Sequence, residues 1–130
     1  MLLKNSKTEI GWSAKGFELP SVEGSNKSYD DISMKNGIVI AFICNHCPYV
    51  IDIIKRLVND FSYLKTIDIG TAAIMSNDVK KYPEDSFTNM KFFSDLHGFT
   101  FPYLFDEDQK VARLYQAVCT PDFFCFDNRK

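Results

Sequence analysis

No part of the sequence stays apolar for long. Met1-Leu2-Leu3 gives way at once to Lys4-Asn5-Ser6-Lys7. The roughly 7–15-residue apolar stretch of a secretory signal does not follow Met1, and nowhere is there the about 20 residues of a membrane span. The expected location is therefore cytoplasmic, where thiols are kept reduced. Blocks of like charge are also absent. Fifteen basic and 17 acidic residues leave a net charge of −2, which gives no electrostatic footprint for nucleic acid. The six glycines never take G-x-G-x-x-G or phosphate-loop spacing, so no nucleotide site is expected. Without repeats, low-complexity tracts or a linker, the 130 residues read as one domain over 1–130.

Apolar residues make up 45% of the chain, 12 of them Phe, enough for one core and against disorder. The first 16 residues are polar and irregular, with Trp12 their only large anchor. Phe17–Pro20 and Lys27–Tyr29 read as short strands around a Gly24 turn, and Asp30-Asp31 as a helical turn. Gly37–Ile43 is a continuous apolar run opened by Gly and rich in β-branched residues, the pattern of a strand buried on both faces. Val50, Ile54, Leu57, Val58, Phe61 and Leu64 follow at helical spacing, predicting a helix from Pro48 to about 65. Ile67–Met75 reads as the next strand. A helix carrying Phe87, Met90 and Phe93 follows Pro83 and stops at Gly98. Phe99–Phe105 is a further strand, then a helix capped by Asp108 carries Val111, Ala112 and Tyr115. A last strand covers Asp122–Phe126, with a turn at Asp127-Asn128. Alternating strands and helices predict an α/β domain with a mostly parallel central sheet.

Four cysteines in a reducing compartment point to catalysis or metal binding rather than to structural staples. Cys44-Asn45-His46-Cys47 lies between the buried strand and the helix at Pro48. Three residues apart, the two sulfurs can form a disulfide. The free N–H groups and positive dipole end of a helix stabilise a thiolate there. Cys44, at the strand end, is expected to be the exposed nucleophile and Cys47, inside the first turn, the resolving thiol. A protonated His46 between them would favour the thiolate. Zinc is the competing reading, with Cys119, Cys125, His97 and His46 as further ligands. No second C-x-x-C exists, so no metal and no organic cofactor is expected.

Five blocks carry a resemblance to a known family: Phe17–Gly24, Phe42–Tyr49, Ser76–Asp78, Phe101–Asp106 and Val118–Phe124. Together they resemble the redoxin branch of the thioredoxin superfamily, the alkyl hydroperoxide reductase/thiol-specific antioxidant group, in its C-x-x-C-bearing subset. The resemblance implies a thioredoxin-like fold and dithiol–disulfide exchange with a redox-active Cys44–Cys47 disulfide. It makes Cys44 the nucleophile, Cys47 the resolving thiol and Pro121 a cis-proline. Thr120 and Asn45 then help to bind the substrate. Protein or small-molecule disulfides would be the substrates and a dithiol the electron donor. A thiol-dependent peroxidase is the alternative, yet Gly37 and Ala41 stand where the family's peroxidatic Pro and Thr should precede Cys44, and Ile40 and Cys44 where they should precede Cys47. A non-catalytic binding module is the other alternative. The family pattern also has a final strand and helix after Asp127-Asn128, where only Arg129 and Lys130 follow. The expectation is a C-terminally incomplete domain, or one that oligomerises through its last strand.

Cys119 is a possible third thiol, and Cys125 reads as apolar filler in a buried strand. His97 reads as a helix-end residue, while Asp68, Asp106 and Asp108 read as turn and cap residues. Phe87, Phe92, Phe93, Phe99 and Phe101 read as core.

Overall fold

The apolar run after Gly37 forms strand β3, Ile38–Phe42. It lies inside a four-stranded sheet in a computed structural model that describes residues 15–127. Trp12 and Asn128 lie outside the described residues. A two-stranded antiparallel hairpin, β1 (Glu18–Pro20) and β2 (Asn26–Ser28), leads into the one-turn helix α1, Tyr29–Ile32. Ser28 and Asp31 close a reciprocal capping box there, satisfying two otherwise unpaired N–H groups. After β3 come α2 (Pro48–Thr66), β4 (Gly70–Met75) and a 3₁₀ turn at Pro83–Asp85. The chain continues through α3 (Phe87–His97), β5 (Tyr103–Phe105), α4 (Lys110–Tyr115) and β6 (Asp122–Phe126).

The sheet order is β5-β4-β3-β6, with β3, β4 and β5 parallel and β6 antiparallel to β3. Side chains alternate along β3, so both faces are buried. Ile38, Ile40 and Phe42 pack with Tyr29, Ile32, Val111 and Tyr115 on one side. Ala41 and Ile43 pack with Val50, Ile54, Leu57 and Phe61 of α2 and with Met90 and Phe93 of α3 on the other. Full burial of a Val, Ile, Leu, Phe or Met side chain among them contributes roughly 1.5–3 kcal/mol. Gly37 is required where it stands. Its φ is +127°, and a Cβ there would lie 2.2 Å from the Phe126 carbonyl oxygen.

Several boundaries differ from the sequence expectation. Strand β4 begins at Gly70 rather than Ile67, because Ile67 and Asp68 bond back to Leu64 and Lys65 and finish α2. Strand β5 is shorter than expected, since Phe99 and Phe101 stack on each other with centroids 4.5 Å apart instead of extending the ladder. Helix α4 is held chiefly by Asp106, whose buried carboxylate accepts from the N–H groups of Val111 and Ala112, while Asp108 accepts from Lys110. Phe87 and Phe92 are exposed, Phe92 by 68%. Helix α3 offers only the Met90, Phe93 and Ser94 face to the core. Cys125 is exposed rather than buried, as is Phe123 beside it. Both lie on the face of the edge strand β6 opposite Phe124 and Phe126, which pack against Tyr115.

One consequence of the register decides where the chemistry sits. Phe42, at the end of β3, pairs with Asp122, at the start of β6. The segment 43–47 leaving β3 and the segment 118–121 entering β6 are therefore brought side by side.

Candidate functional site

The loop between β3 and α2 carries Cys44, Asn45, His46 and Cys47. Cys47 is the N-cap residue of α2, in extended conformation, and Pro48 follows at the first helical position. This reverses the expected exposure of the two thiols. Cys44 lies only two residues beyond β3, still inside the core layer with Val50 and Ile54, and is 1% exposed. Cys47, at the helix entrance, is partly exposed and lines a cleft of about 780 Å³, with Tyr49, Asn77, Arg113, Cys119 and Thr120 also in its wall. Cys44 does not line that cleft. No disulfide joins any of the four cysteines.

The electrostatics divide the pair in the same sense. Burial pushes the Cys44 thiol up to about 12, with the neighbouring Cys47 and the Asp85 carboxylate adding to the effect. For Cys47 partial burial also acts upwards, but hydrogen bonds outweigh it and the thiol falls below its ordinary value. These come from the Thr120 hydroxyl, the Val50 and Tyr49 N–H groups at the helix start, and the Cys44 thiol. The dipole argument thus applies to Cys47, because the helix begins one residue after it.

Thr120 joins the two sulfurs. Its hydroxyl donates to Cys47 Sγ at 3.4 Å and lies 3.7 Å from Cys44 Sγ, while the Cys47 thiol reaches the Thr120 carbonyl at 3.6 Å. The Thr120–Pro121 peptide is cis. The buried Asp122 carboxylate accepts from the Val118 N–H and so ties down the start of this loop.

Asp85 is the residue that sequence reasoning missed. It is fully buried beneath the loop. One carboxylate oxygen accepts the Asn45 N–H at 2.7 Å, and the other accepts from Asn77 Nδ2 at 2.9 Å. That second oxygen also lies 2.8 Å from His46 Nδ1, an ion-pair separation not aligned as a hydrogen bond. Tyr82 stacks on the His46 ring at 5.2 Å and fixes its plane. Cys44, His46 and Asp85 each place one ligand-type atom within 4.8 Å of the other two. In sequence, Glu84-Asp85 looks like the ordinary acidic start of a helix.

Asn45, expected among the substrate-binding residues, has its side chain bonded within the protein. Its amide donates to the Glu84 carbonyl, and its side-chain oxygen accepts from the buried Tyr103 hydroxyl at 2.8 Å. It is an anchor for the loop. Cys119 shares the cleft with Cys47, and burial, then Asp122 and Cys47, push its thiol upwards. His97 is the last residue of α3, with its ring against Phe93. Among the described residues no helix is long and apolar enough to cross a membrane.

Residues 10–130 match the model of the AhpC/TSA family. The chain belongs to that family. An uncharacterised conserved protein from Geobacillus kaustophilus is 40% identical, with a TM-score of 0.93, over 96% of this chain and 67% of its own. A hypothetical protein from Sinorhizobium meliloti 1021 is 32% identical, with a TM-score of 0.91, over 95% of this chain and 67% of its own. A secreted disulfide oxidoreductase of Mycobacterium tuberculosis shares the fold at 15% identity and a TM-score of 0.70, over 85% of this chain and 75% of its own. No protein with a curated description matches. As a thioredoxin-like redoxin of this family, the chain has the α/β architecture that the five sequence blocks implied.

Proposed function

We propose that this AhpC/TSA-family chain is a thiol–disulfide oxidoreductase in which Cys47 attacks and Cys44 resolves, the reverse of the order expected from sequence. One observation carries the reading: Cys47 is at once the helix N-cap, the thiol with the lowered pKa and the sulfur lining the cleft, while Cys44 is none of these. The family match and the shared fold with a disulfide oxidoreductase support the reaction class.

The Cys47 thiolate attacks one sulfur of a substrate disulfide, forming a mixed disulfide and expelling the other half as thiolate. The buried Cys44 thiol then gives up its proton to the adjacent His46–Asp85 pair and attacks Cys47 Sγ. The second substrate thiolate leaves, and the Cys44–Cys47 disulfide remains. Two electrons have passed to the substrate, and a dithiol donor restores them. Thr120 lines the approach, followed by the cis Pro121, and backbone groups there would pair with an extended peptide. Asn45 and Asp85 position the loop. Protein or small-molecule disulfides and a dithiol partner are the proposed reactants, within a single domain.

Trapping tests the roles. Cys44→Ser removes the resolving thiol and should accumulate mixed disulfides through Cys47, whereas Cys47→Ser should accumulate none. Trapping only in Cys47→Ser would restore the opposite order, and trapping in neither variant would remove the exchange chemistry.

A further inference from the structure

We propose that Cys44, His46 and Asp85 form a binding site for a divalent cation of the zinc type. The three residues come from the β3–α2 loop and the 3₁₀ turn before α3, and their ligand atoms lie within 4.8 Å of one another. A cation with bonds of about 2.0–2.3 Å spans such a set after small rotations of Cys44 or His46. Sulfur, imidazole and carboxylate together suit a borderline-soft ion rather than calcium or magnesium, which prefer all-oxygen shells.

Two further features mark a prepared site. His46 Nδ1 is buried without a hydrogen-bond partner, though 2.8 Å from Asp85 Oδ2. An unsatisfied buried ring nitrogen is costly in a protein interior, and a cation between the ring and the carboxylate would satisfy it. The ligand side chains are also held from behind. Asn45 N–H and Asn77 Nδ2 fix the Asp85 carboxylate, and Tyr82 fixes the imidazole plane. Metal ligands are oriented by outer partners of this kind.

Three protein ligands leave a fourth position for water. Cys44 serves both as ligand and as one half of the redox pair, so metal occupancy and the Cys44–Cys47 disulfide exclude each other. Oxidation would release the ion, and the ion would silence the reduced dithiol. The site itself does not need the exchange chemistry, and a chain that bound metal but exchanged no disulfide would leave it standing.

Cobalt(II) titration of the reduced protein, followed by zinc displacement, is the test. The expected result is one cobalt per chain with a sulfur-to-metal charge-transfer band, abolished by Cys44→Ser and by oxidation but kept by Cys47→Ser. His46→Ala and Asp85→Asn should each weaken cobalt binding at least on the order of 10–100-fold, the range for losing even an outer partner of a metal site. His46 is partly exposed, so its truncation keeps the fold. Absence of a stoichiometric band overturns the proposal. So does a band lost in Cys47→Ser and unaffected by His46→Ala, which would mean simple chelation by the two thiols.

Discussion

Brief alkylation of the reduced protein at neutral pH should label Cys47 and leave Cys44 almost untouched. Cys44 ionises at about 12 and Cys47 below the ordinary 9.0. The thiolate fraction of Cys44 at neutral pH is therefore much the smaller, and the greater intrinsic nucleophilicity of its higher-pKa thiolate returns only part of the difference in rate. Burial of Cys44 among Val50 and Ile54 widens the gap further. The Cys47 rate should rise with pH and level off at a midpoint below 9.0, because the thiolate is the reacting form and its population saturates above the pKa. Peptide mapping after timed iodoacetamide quenching reads both sites. Equal labelling, or Cys44 first, would contradict the assignment. Thr120→Val should move the Cys47 midpoint upwards, since it removes the hydroxyl that donates to that sulfur.

Asp85→Asn should slow the resolving step on the order of 100-fold, near the lower end of what a positioned general base contributes, while leaving the initial alkylation of Cys47 little changed. The substitution has two opposing effects. Removing a carboxylate beside Cys44 eases ionisation of that thiol, yet this charge effect ranks well behind burial as a cause of its high pKa. Losing the charged partner of His46 deprives Cys44 of its proton acceptor. The second effect should prevail, because a thiol ionising at about 12 attacks only slowly at neutral pH without a base. Rapid-quench decay of a Cys47 mixed disulfide measures it directly. Faster decay in the variant would show that Asp85 serves only to keep Cys44 protonated.

The sheet and its central helix were legible because their signals are local and strong. Gly37–Ile43 could hardly be anything but a doubly buried strand, and the Val50–Leu64 spacing leaves one helical face. The loops between them were less legible. Whether Ile67 closes a helix or opens a strand depends on backbone bonds to Leu64 that no pattern encodes. The site shows the same division. The pairing of Cys44 with Cys47, and the nearness of Thr120 and Pro121, were readable from the motif blocks. The exposure of each thiol was not, because α2 begins at Pro48 as expected and the difference lies in packing, Cys44 staying in the core layer with Val50 and Ile54 after β3 has ended. Asp85 could not be read at all. It lies 39 residues from His46 in sequence and meets it only because the parallel β3–β4 crossover returns the chain to the same end of the sheet.

Cys44 and Cys47 should form a reversible redox couple. Equilibrating the protein in dithiol–disulfide buffers of graded potential, with the linkage mapped by mass spectrometry after acid quenching, tests it most directly. One two-electron transition joining Cys44 to Cys47 is expected, with a midpoint within the roughly −270 to −120 mV spanned by dithiol oxidoreductases. A chain that forms no such linkage at any potential, or that joins Cys47 to Cys119 instead, would contradict it.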